Sequence, residues 1–158
     1  MAMTENRGAG LSRRDMLVAA GGLAAVGIVL TPREGGATTE AVADLIKKLA
    51  GGAEVKAGRV ILKIPQIAEN GNTVPLTVAV DSPMSGTDYV TAVHVFADGN
   101  PAPEVASFTF SPLSGKVEVQ TRMRLALTQN VTAIARMNDG SVFISQAEVK
   151  VTIGGCGG

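Results

Sequence analysis

The chain has 158 residues, 46% of them hydrophobic and 18% charged, and its 14 cationic and 14 anionic side chains leave no net charge. That length fits one ordinary domain plus a targeting segment. The balanced charge excludes the basic surface that nucleic-acid binding needs, and the scarcity of aromatics, with no Trp, one Tyr and four Phe, removes a stacking platform for bases or sugars.

Residues 1–36 read as an export signal. Arg7, Arg13 and Arg14 make a basic start, and Met16 to Leu30 form an apolar run of 15 residues containing three glycines. A spanning helix needs about 20 residues, so the run predicts cleavage rather than anchoring, and no membrane association afterwards. Ser12-Arg13-Arg14-Asp15-Met16-Leu17 matches the twin-arginine pattern, which predicts a periplasmic mature chain. Cleavage is expected between Thr31 and Glu40, because the small-residue motif Ala41-Val42-Ala43 lies within the next helical pattern. The twin-arginine route carries folded proteins, yet the chain has no Gly-rich phosphate loop, no CxxCH and no cluster of His, Cys and carboxylates. No cofactor is expected, and assembly with a partner before export accounts for the route.

The mature domain opens with a helical pattern. Val42, Leu45, Ile46 and Leu49 fall at i, i+3, i+4 and i+7, an apolar stripe. Thr38 or Thr39 is a candidate cap, Glu40 sits in the first turn, Lys47 and Lys48 suit the last, and Gly51-Gly52 stops the helix. The stripe is expected to lie on a sheet or a partner.

Alternating segments separated by turn signals follow, the pattern of a β-sandwich. Val60, Leu62 and Ile64 alternate up to Pro65, and Val74, Leu76, Val78 and Val80 alternate after Asn70-Gly71. A third strand runs from Tyr89 to Ala97 and a fourth carries Ala106, Phe108 and Phe110 on one face. In the fifth, Val117, Val119, Met123 and Leu125 oppose Glu118, Gln120, Arg122 and Arg124; in the sixth, Val131, Ala133, Ala135 and Met137 share a face. The seventh changes parity, from Val142 and Ile144 to Ala147, Val149, Val151 and Ile153, which predicts a bulge near Ser145-Gln146. The fold class is therefore all-β: an immunoglobulin-like sandwich of about seven strands, with an N-terminal amphipathic helix and a flexible C-terminal arm.

Few residues within the sandwich point to chemistry. The lone His94, inside a strand, reads as a packing residue, since one histidine makes no multidentate metal site. Asp81 and Asp88 flank Pro83-Met84-Ser85-Gly86 and read as loop residues. Met84, Met123 and Met137 read as core or subunit interface. Neither a catalytic group nor a metal site is expected.

The chain ends Gly154-Gly155-Cys156-Gly157-Gly158 and holds no other cysteine. Two glycines on each side of a thiol at a chain end predict a thin, mobile arm that packs nothing, with Cys156 as the site of covalent attachment. An extended chain spans roughly 3.3 to 3.6 Å per residue, so the sulfur reaches about 10 Å past Ile153, enough to enter a narrow channel. A free thiol has a pKa of about 8.5 and no base stands beside it in the tail, so its chemistry must come from partners. Residues 1–36 are thus read as signal, 37–153 as the sandwich with its leading helix, and 154–158 as the arm.

The terminal GGCGG after the strand Val149-Lys-Val-Thr-Ile153, together with Glu69-Asn-Gly-Asn-Thr-Val-Pro-Leu76, resembles the SoxY family, sulfur-carrying subunits of the thiosulfate-oxidising Sox system. The resemblance covers essentially the mature chain. It implies an immunoglobulin-like sandwich and covalent carriage of sulfur on the cysteine at position 156. It also implies a heterodimer with a SoxZ-like subunit. The other partners implied are a SoxXA-like c-type cytochrome, a SoxB-like hydrolase, a SoxCD-like dehydrogenase and sulfur anions such as thiosulfate. An exported structural module that uses Cys156 for an intersubunit disulfide is the alternative reading. A ubiquitin-like donor activated at its terminal Gly-Gly belongs to the cytoplasm, which the export signal disfavours, and a thiol oxidoreductase would want a second cysteine.

Overall fold

The computed structural model describes residues 38–155. Arg13, Arg14 and the rest of the expected export signal lie outside the described residues, as do Cys156, Gly157 and Gly158. Among the described residues the chain forms one α-helix, α1 (Thr39–Ala50), a single 3-10 turn at Pro112–Ser114 and nine strands. These are β1 (Val55–Ala57), β2 (Val60–Lys63), β3 (Ile67–Asn70), β4 (Val74–Val80), β5 (Val90–Ala97), β6 (Glu104–Thr109), β7 (Val117–Met123), β8 (Gln129–Met137) and β9 (Val142–Ile153). The larger sheet runs β1-β9-β8-β5-β6, with β3 also paired to β9; the smaller runs β2-β4-β7.

The two sheets pack as an immunoglobulin-like sandwich because each contributes one apolar parity. Val74, Leu76, Val78 and Val80 of β4 meet Val93, Val95, Val131, Ala133, Ala135 and Val149 of the facing sheet, and all are buried. The aliphatic side chains supply most of this core; fully burying a Val or Leu contributes about 1.5 to 3 kcal/mol. Met84, Met123 and Met137 join the same core.

The helix begins where its capping chemistry predicts. Thr38 is extended, and its Oγ1 accepts from the Ala41 N–H at 3.2 Å; Gly51 ends the helix in the left-handed region, donating its N–H to the Lys47 carbonyl. Its stripe packs on the outer face of the larger sheet, where Val42 meets Phe96, Ile134 and Val142, flanked by Leu45, Ile46, Leu49 and Ile144.

That second cluster corrects one expectation. No bulge occurs at Ser145-Gln146: β9 pairs with β8 without a break from Val142 opposite Arg136 to Val149 opposite Gln129. The parity changes because the burying partner changes. At the start of β9, Val142 and Ile144 face the helix, whereas Val149 and Val151, on the opposite face, pack in the sandwich core. A second correction concerns number. The seven expected strands are present, and β1 and β3 add two, both parallel to β9. Each is three or four residues long with at most one buried side chain, too short for alternation to register.

Ile134 is fully buried between helix and sheet. Ile134→Ala is expected to lower unfolding free energy by about 3 kcal/mol, against less than about 1 kcal/mol for Ile61→Ala at the exposed face of β2. Urea titration of the two variants measures both.

Candidate functional site

Gly154 and Gly155, the two described residues beyond β9, are held by the body. The Gly71 N–H donates to the Ile153 carbonyl at 2.7 Å, the Gly71 carbonyl accepts from the Leu125 N–H at 2.8 Å, and the Leu125 carbonyl accepts from the Gly155 N–H at 2.9 Å. Three stretches of backbone, from the β3–β4 turn, the segment after β7 and the arm, are thereby laced together. The expectation that the arm packs nothing is corrected at its first two residues: Gly155 is buried, and Gly154 lies against the Ala126 carbonyl.

Each glycine here is required by space. A Cβ on Gly71 would overlap the Leu125 carbonyl oxygen and stand 2.7 Å from the Gly155 nitrogen. One on Gly155 would come within 2.8 Å of the Gly71 oxygen, and one on Gly154 would overlap the Ala126 oxygen. Because these neighbours are backbone atoms, no rotamer change relieves the overlap. Cys156 follows directly in sequence but lies outside the described residues, as do Gly157 and Gly158.

The segment that receives Gly155 is itself fixed from below by buried amides. Asn100, 3% exposed, donates from Nδ2 to the Arg124 carbonyl at 2.9 Å. Its Oδ1 accepts from the Ala126 N–H at 3.0 Å and from Gln129 Nε2 at 2.9 Å. Gln129 also donates to the Leu127 carbonyl at 3.0 Å and accepts from the Gly99 N–H at 2.8 Å. Thr128 Oγ1 takes the Val151 N–H at 3.0 Å, and Asn70 Oδ1 takes the Asn72 N–H at 2.9 Å, closing the turn that carries Gly71. Every hydrogen bond is worth about 0.5 to 1.5 kcal/mol net, so the set is modest bond by bond and firm together.

Sequence reasoning placed Leu125 on an apolar strand face and Asn70-Gly71 in a turn, but missed the part that Asn100, Leu125, Gln129 and Gly71 play at this site. Asn-Gly at 70–71 reads as a turn signal, and it falls within the block from Glu69 to Leu76 that resembles the family. No sequence pattern ties it to Gly155, 84 residues further along the chain.

The other singled-out residues lie elsewhere. Asp88 forms a two-pronged ion pair with Arg59, at 2.9 and 3.2 Å, with the guanidinium 5.3 Å over the Phe143 ring. His94 is half-buried on β5, its ring stacked 6.3 Å from Phe96. Its Nδ1 meets Ser107 Oγ at 2.7 Å, and that hydroxyl donates to Glu104 at 2.6 Å. With the Ser107 proton committed to Glu104, His94 is the donor, and carboxylate–serine–histidine is not the order that activates a serine. Among the described residues, no three His, Cys, Asp or Glu side chains gather to hold a metal ion.

Fold and site together define a class: a two-sheet immunoglobulin-like sandwich whose last strand runs into Gly154 and Gly155, held at a fixed point on the body directly before the chain's one cysteine in sequence. The family model of the sulfur oxidation protein SoxY matches residues 46–156. The solved sulfur carrier protein SoxY from Chlorobium limicola f thiosulfatophilum is 36% identical, with a TM-score of 0.60 over 71% of this chain and 96% of that one. The chain belongs to the SoxY family. Superoxide reductase (neelaredoxin) from Ignicoccus hospitalis shares the fold at 15% identity, with a TM-score of 0.53 over 75% of this chain and 96% of that one. Hypothetical protein PH1083 from Pyrococcus horikoshii OT3 does so at 12%, with a TM-score of 0.51 over 66% and 99%. No curated protein matches the chain.

Two outcomes are expected from this geometry. Asn100→Ala strands the Arg124 carbonyl, the Ala126 N–H and the Gln129 amide, and is expected to cost about 2 to 4 kcal/mol by urea unfolding. Burial, first, and the charge of Arg136 hold the His94 pKa below its ordinary 6.5, against an upward pull from Glu104. The unfolded chain therefore takes that proton first, and this contribution to stability, whole above pH 6.5, is lost as pH falls through the folded value. Urea midpoints at pH 7.5 and about 5.5 should converge between wild type and His94→Gln at the lower pH.

Proposed function

We propose that this protein is a periplasmic, non-enzymatic sulfur carrier of thiosulfate oxidation, exported by the twin-arginine route, with Cys156 as its covalent attachment point. The observation that carries the reading is the family match running through residue 156, the chain's only cysteine. The resemblance of the tail to the family's GGCGG ending supports the same assignment.

The chemistry balances with named partners. A c-type cytochrome partner removes two electrons as the thiol sulfur bonds to the terminal sulfur of thiosulfate, releasing one proton and leaving a cysteine S-thiosulfonate. A hydrolase partner then adds water across the sulfur–sulfonate bond, releasing sulfate and a proton and leaving a persulfide on Cys156. A dehydrogenase partner takes six electrons from that outer sulfur as three waters supply its oxygens, releasing seven protons and leaving a cysteine S-sulfonate for a second hydrolysis. A SoxZ-like subunit completes the carrier as a heterodimer. Covalent tethering keeps a small anion at high effective concentration near successive active sites, which repeated release and rebinding would not.

Intact mass of the exported protein from thiosulfate-grown cells, before and after reduction, tests this. Sulfur adducts removable by reductant and confined to the last peptide are expected, and none on Cys156→Ala, whose fold is unchanged by circular dichroism. Thiosulfate oxidation sustained by Cys156→Ala would overturn the assignment. An obligatory Cys156 disulfide dimer on a non-reducing gel, with no adduct, would replace it with the structural reading.

A further inference from the structure

We propose that the Gly71 turn is a latch on the arm, and that this latch sets how far the tether reaches. Gly71 is a positioning residue: it holds the Ile153 carbonyl directly and the Gly155 N–H through Leu125. While latched, the arm is held to the body as far as Gly155, and covalent geometry keeps the Cys156 Cα about 3.8 Å from that of Gly155. Opening the Gly71–Ile153 and Leu125–Gly155 bonds frees Gly154 and Gly155 as well, and lengthens the tether by about 7 Å.

Glycine at 154 and 155 then answers to two demands. One is a slim tether; the other is a slot between the Gly71 turn and Ala126 that admits no Cβ. The latch is weak enough to open. It consists of two backbone bonds near the chain end, each exchangeable for a bond to water, and Gly154 between them is exposed. The body side stays in place on opening, because Leu125 keeps its bond to Gly71 and Ala126 its bond to Asn100. A partner with a shallow entrance is served by the latched arm, whereas one with a deeper channel must compete the two bonds away. That purpose rests on the carrier reading; the latch itself does not.

Pulsed electron resonance on the full mature chain tests the latch, with one spin label on Cys156 and one on Glu118→Cys. Glu118 is exposed on β7, and Leu125 lies seven positions further along the chain, at most about 23 Å away. Wild type is expected to give a narrow distance distribution, and Gly155→Ala one at least about twofold wider, reaching several Å further, as the about 7 Å of freed tether requires. Gly157→Ala is expected to match wild type. Thermal midpoints should coincide, since Gly155→Ala disturbs only the arm. Hydrogen exchange gives a second readout: the wild-type Gly155 amide is expected to exchange at least about tenfold slower than a free peptide, as a bonded amide does. Identical distributions in wild type and Gly155→Ala, or a Gly155 amide exchanging at the free-peptide rate, would overturn the latch. Both measurements use unloaded protein, so a failure of sulfur carriage on Cys156 leaves their results unchanged.

Discussion

The close approach of three backbones at Gly71 is the constraint on which the functional end of this molecule depends. Backbone pairing at 2.7 to 2.9 Å between the β3–β4 turn, Leu125 and the arm leaves no room for a side chain at Gly71 or Gly155. The tail therefore has a defined origin. Gly154 and Gly155 carry two separable properties, a slender backbone and a fit against the body, and only the first is legible from the glycines themselves.

The rigidity of that origin comes from polar groups inside an apolar sandwich. Asn100 and Gln129 are buried; Asn100 satisfies two backbone groups of the segment from Arg124 to Leu127 and Gln129 a third, where a loop would otherwise leave amides unpaired away from water. An aliphatic core can fix the separation of two sheets, but it has no directional means of fixing a loop. The amide pair supplies the direction. The valine-rich strands supply the platform that β9 crosses before it reaches the latch.

The larger sheet is covered on both faces, by the smaller sheet across most of its inner side and by α1 at one end of its outer side. This arrangement makes β9 long and continuous, apolar toward the helix at its start and toward the core at its finish. β1 and β3 lie parallel to its two ends and tie the strand that bears the arm into the sheet. The fold is shared with proteins at 12 to 15% identity, so the sandwich by itself does not specify chemistry.

Read alone, the sequence determined the sandwich, the helix and its caps, because alternation, the four-residue stripe and capping residues act over a few neighbours. It also determined the single thiol and its glycine frame, which are matters of composition. The tertiary structure decided everything that depends on which surface a residue meets. Val142 and Ile144 changed parity because a helix covers them, and no local pattern names the covering element. Gly71, Asn100 and Leu125 came together with Gly155 from positions far apart in the chain, and such a contact leaves no period behind it. Hydrophobic pattern records whether a side chain is buried; only the folded chain settles against what.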